Sequence, residues 1–96
     1  MKSIRIVLPN NYAMINDYIG IINGKQVLLN EDDINNLLRI IRYWHNEYRN
    51  DKIISKEKYF ITINTDDEEE TINFNGSYPD DLYILLDFLG DLYDRK

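Results

Sequence analysis

The sequence predicts an α+β domain. Its expected architecture is an antiparallel sheet of 4–5 strands, in the order strand, hairpin, helix, hairpin, helix, with two helices packed on one face. Three observations carry this expectation. An Asn23-Gly24 pair stands between two apolar runs, Tyr18–Ile22 and Lys25–Leu29. A segment opened by Asn30 sets its apolar residues at helical spacing. A second β-rich pair, Tyr59–Ile63 and Thr71–Phe74, leads into a leucine-striped helix. The 96 residues contain no linker or low-complexity stretch, so 1–96 is expected to form a single domain.

Ile4, Ile6 and Leu8 alternate with Arg5 and Val7, as on a strand with one buried face, and Pro9-Asn10-Asn11 ends it. Residues 12–16 are ambiguous in pattern. Asn-Gly accepts the positive φ angles of the tight turn whose twist matches paired strands, so 18–29 is expected to be a hairpin. Asn30 caps the helix that follows, its side chain accepting from the amide of Asp33, while Glu31, Asp32 and Asp33 put negative charge on the positive helix end. Ile34, Leu37, Leu38, Ile41, Trp44 and Tyr48 continue at helical spacing, which predicts a helix from 31 to 49. Arg39, Arg42 and Arg49 would then share one flank of it. Gly76-Ser77-Tyr78-Pro79 closes the second hairpin, and Leu82, Leu85, Leu86, Leu89 and Leu92 form the apolar stripe of the last helix.

Charge is unevenly distributed. The net charge is −6, and residues 51–96 hold twelve carboxylates against five basic side chains. An acidic half repels phosphate backbones, so direct nucleic-acid binding is disfavoured and a protein with a basic surface is the natural partner. Cysteine is absent, which removes disulfides, thiol nucleophiles and thiolate metal sites together. No apolar run approaches the roughly 20 residues of a membrane helix. A cytoplasmic location is expected. Ile, Asn and Tyr are abundant against a single Ala, a usage that fits AT-rich codons and hence a low-GC bacterium or its phage.

The candidate surfaces follow from the same patterns. On the last helix, Asp80, Asp87, Asp91 and Asp94 form a stripe opposite the leucines, with Ile84 and Phe88 beside it. Carboxylates around an exposed apolar group suit a binding patch, in which the apolar group anchors and the charges steer. Asp66, Asp67, Glu68, Glu69 and Glu70 gather at the second hairpin turn, without the spacing that wraps a loop around calcium. Tyr43, Tyr83 and Tyr93 are contact candidates, because tyrosine offers area with a polar tip.

Catalysis has less to rest on. His45 is the only histidine, the glycines are isolated, and no serine has a placed base, so no enzyme, cofactor or metal site is expected. The profile is that of a small acidic macromolecule-binding protein, an inhibitor of a protein with a basic, nucleic-acid-binding cleft. Phage-encoded antagonists of host defence, anti-CRISPR proteins among them, and nuclease immunity proteins share that profile of size and acidity. The alternative is a homo-oligomeric accessory or regulatory subunit without catalysis, in which a homodimer buries the exposed aromatics.

Overall fold

A computed structural model describes residues 2–53 and 57–95. Among the described residues it is an α+β fold with two helices and seven strands. The strands β1 (Ser3–Leu8), β2 (Asn11–Asn16), β3 (Ile19–Ile22) and β4 (Lys25–Leu28) precede helix α1 (Glu31–Ile41). Then follow β5 (Glu47–Arg49), β6 (Tyr59–Asn64), β7 (Glu69–Asn75) and helix α2 (Leu82–Tyr93). One sheet holds them in the order β4-β3-β2-β1-β6-β7-β5, with the N-terminal strand in its interior. The expected 4–5 strands are therefore an undercount, and the sheet is mixed because β5 runs parallel to β7.

The first four strands form a meander on three two-residue turns, Pro9–Asn10, Asp17–Tyr18 and Asn23–Gly24. Each turn needs backbone at positive φ, and Asn10 (61°), Asp17 (52°), Asn23 (49°) and Gly24 (88°) supply it. Asn and Asp enter that region at low cost because their short side chains bond locally. Asn23 does so across the sheet: its side-chain oxygen accepts from the Tyr12 amide at 2.8 Å.

The strands bury one face only. Ile4, Ile6 and Leu8 of β1 share it with Ala13 and Ile15 of β2, Ile22, Val27, Ile61, Ile72 and Phe74. Ile34, Leu37 and Ile41 of α1 and Leu85, Leu89 and Leu92 of α2 complete the same core. Each fully buried Ile or Leu contributes about 1.5–3 kcal/mol by leaving water. The two helices lie against each other and α2 also contacts β3 and β4. Gly20 on β3 leaves room for Leu29, whose Cδ1 would sit 3.2 Å from a Cβ there.

Helix α1 stops at Ile41, not at 49. Tyr43, Trp44, His45 and Asn46 are poor helix formers, and stronger contacts are available once the chain turns. Trp44 buries its ring and donates its indole N–H to Asp81 Oδ1 at 2.9 Å. Tyr48, now on β5, stacks on Phe74 at 5.8 Å between ring centroids. The helical spacing of Trp44 and Tyr48 correctly marked core residues, Trp44 buried and Tyr48 half-buried, but a turn and a strand place them there. Arg49 consequently leaves the flank of Arg39 and Arg42 and pairs with Asp51 at 2.6 Å.

Candidate binding surface

Helix α2 packs Leu85, Leu89 and Leu92 inward and turns Tyr83, Asp87, Gly90, Asp91 and Asp94 outward, all of them exposed. Ile84 adjoins them at 40% exposure, and Tyr83 is 62% exposed. Asp80 is exposed too, in the turn just before the helix. Phe88 differs: it is half-buried against the core, so Tyr83 and Ile84 are the apolar groups that stand among the carboxylates. At Gly90 a Cβ would meet nothing within 4 Å, so this glycine answers no packing need inside the domain.

The electrostatics of α2 run against its own stability. Helix C-termini carry partial negative charge and favour cations. Yet the last turn of α2 holds Asp91 with Asp94 at the cap and no basic residue. Side chains of Asp80, Asp87, Asp91 and Asp94 have no ion-pair partner among the described residues. Relief at this end comes from the sheet, where Lys25 Nζ donates to the carbonyl of Tyr93 at 2.5 Å and lies 5.1 Å from its ring centroid. That contact partly covers Tyr93, which remains 41% exposed.

Two bonds fix the helices antiparallel. Trp44 joins the turn after α1 to Asp81 at the start of α2, while Tyr43, 82% exposed, lines an open cleft with Asn35, Arg39 and Arg42. At the other end Arg95 clamps Asp33 in α1, with Nη1–Oδ2 at 2.6 Å and Nη2–Oδ1 at 3.0 Å. Asp33 also completes a reciprocal cap with Asn30, each side chain accepting from the other's backbone N–H at 2.9 Å. The Arg95 hydrogen bond holds the Asp33 carboxyl below the usual carboxylate range, against a burial that would raise it.

The clamp sets the first turn of α1 beside the C-terminal end of α2. Exposed Glu31 and Asp32 open α1 there. Asp17, Glu31, Asp66 and Asp67 line an open cleft of about 330 Å³ together with Lys2. The acidic run does not act as one patch. Asp66 and Asp67 occupy the turn, closed by Thr65 N–H donating to the Glu68 carbonyl at 2.8 Å. Glu69 and Glu70 belong to β7 and point to opposite faces. The sequence points to the α2 stripe and the 66–70 turn but not to Asp17 and Glu31 as neighbours of Asp66 and Asp67. The signal that could have found them was the acidic first turn of α1, which capping alone accounts for.

His45 is exposed and its ring lies 5.8 Å from that of Tyr48. Among the described residues no cluster of His, Asp and Glu is arranged to hold a metal ion, and no helix is long and apolar enough to cross a membrane. The fold and surface together define a two-layer α+β domain with an acidic helix side. The chain matches no protein-family model, no curated protein and no solved structure.

Proposed function

We propose that this chain is a non-catalytic binding protein whose acidic helix side engages the basic cleft of another protein. On this reading it competes with nucleic acid there, in the manner of a phage anti-defence protein or a nuclease immunity protein. One observation supports it above the others: Asp87 and Asp91 on α2 and Asp94 at its cap stand exposed with no ion-pair partner among the described residues, Asp91 and Asp94 at the helix end where the backbone dipole disfavours them. Charges placed for stability would sit at the opposite end or face a cation. Exposed carboxylates raise the encounter rate with a cationic surface, and Tyr83 and Ile84 supply area to bury once contact is made.

A retention experiment tests this reading. Wild-type chain and an Asp87→Lys/Asp91→Lys variant serve as baits in lysate of the native host, and captured proteins are identified by mass spectrometry. The variant should be at least as stable as wild type, since it removes charge that opposes the helix dipole, so lost binding cannot be ascribed to unfolding. The expected result is a nucleic-acid-binding protein with a basic cleft that wild type retains and the variant releases. Equal capture by both baits would end the case for the stripe.

A further inference from the structure

Among the described residues no helix or strand packs on the face of the sheet opposite the helices. Cross-strand pairing sets its side chains in rows. One row reads Leu28, Ile19, Asn16, Ser3, Asn64; the next Gln26, Ile21, Met14, Arg5, Thr62; the third brings Tyr12, Val7 and Phe60 together. Leu28 is 71% exposed, Ile19 50%, Ile21 44% and Tyr12 36%. These side chains are neighbours across β4, β3 and β2, and a contiguous apolar patch of that kind on a soluble domain marks an interaction site.

The distribution of charge selects the occupant. On β4, β3, β2, β1 and β6 the open-face positions hold no carboxylate, although the chain carries a net charge of −6. Their single charged group is Arg5, whose guanidinium carbon lies 5.8 Å from the ring centroid of Phe60. Glu69 and Glu47 appear only on the outer strands β7 and β5. A basic partner therefore finds nothing here to attract it. A second acidic copy meets apolar side chains and an arginine.

Size agrees as well. Seven strands about 4.8 Å apart and about 10–23 Å long present roughly 570 Å² in projection, and more as accessible surface. A standard interface takes about 800 Å² from each partner.

We propose that the open sheet face is a self-association surface, on which a second copy of this chain packs sheet to sheet. The dimer directs both acidic helix layers outward. The shortest dimension of one copy, 21 Å, already exceeds the screening length of about 8–10 Å, so the two sets of helix carboxylates scarcely sense each other. Bivalent presentation of the acidic side follows, but the dimer does not depend on what that side binds.

Sedimentation of the purified full chain between about 1 and 200 μM, at low and high salt, tests the proposal. The mass should rise from 11.5 kDa to twice that value with concentration. High salt should favour the dimer, because it screens the residual repulsion between two negative copies. An Ile21→Glu/Leu28→Glu variant should stay at monomer mass with an unchanged circular dichroism spectrum. The milder Ile21→Thr/Leu28→Gln variant, which keeps the strands intact, should raise the dimer dissociation constant at least about tenfold. Tyr43→Glu, on the helix side, should leave it unchanged. Monomer mass for wild type at every concentration would overturn the proposal, as would a dimer indifferent to the Ile21 and Leu28 substitutions or broken by Tyr43→Glu. A wild-type monomer that still captures a basic partner would remove the dimer alone.

Discussion

Replacing Phe74 with Ala should lower the unfolding free energy by about 3–5 kcal/mol, the usual cost of emptying a large aromatic site in a core. Phe74 is 1% exposed and joins three rings that come from different parts of the chain. Trp44 meets it edge-on at 6.4 Å, while Tyr48 and Tyr78 stack on it at 5.8 and 5.3 Å. Those rings belong to the turn after α1, to β5 and to the segment before α2. Removing their common partner therefore loosens all three together. Because a domain of this size loses roughly 4–8 °C of melting temperature per kcal/mol, the drop should be about 15–30 °C. Phe74→Leu, which keeps most of the volume, should cost less than half as much. Denaturant unfolding measures both. A loss below about 1 kcal/mol for Phe74→Ala would mean that the β7–β5 end of the sheet is not closed over the core as described.

Arg95→Met should destabilise the chain by about 1–3 kcal/mol at pH 7, less than a fully buried pair because the arginine side chain is 40% exposed. It leaves Asp33 buried with its charge unanswered, at the junction of both helices. The effect should depend on pH in a definite direction. Asp33 has a folded-state pKa below its unfolded value, chiefly through the Arg95 hydrogen bond. Its contribution is therefore present above the unfolded carboxylate range and disappears as pH falls through the folded value. Wild type and variant should converge in stability as acid protonates Asp33. A gap that stayed constant from pH 7 down to about pH 2 would show that the clamp is not electrostatic.

Much of the fold was legible where one face of an element is polar. In β1, Ile4, Ile6 and Leu8 alternate with a charge, and the Asn23-Gly24 turn announces β3 and β4. Strand β2 escaped for a physical reason. Tyr12 and Met14 are as apolar as Ala13 and Ile15, so no period stands out. Their side chains lie on the face opposite the helices, and the feature that hid the strand is the one that marks a second surface. Strand β5 was illegible because only three residues form it, held by parallel pairing to a strand far along the chain. The α2 stripe could be read from spacing alone. The convergence of Asp17, Glu31 and the 66–67 turn could not, since it depends on β1 pairing with both β2 and β6, which sets their end turns on either side of Ser3.

Carboxylates of α2 with no ion-pair partner among the described residues should speed encounter with a cationic protein. The association rate with the retained partner, followed across ionic strength for wild type and for Asp87→Lys/Asp91→Lys, probes that most directly. Wild type should associate fastest at low salt and slow steeply as salt rises, while the variant should be slower at low salt and nearly insensitive to it. Equal rates for the two chains at low ionic strength would contradict it.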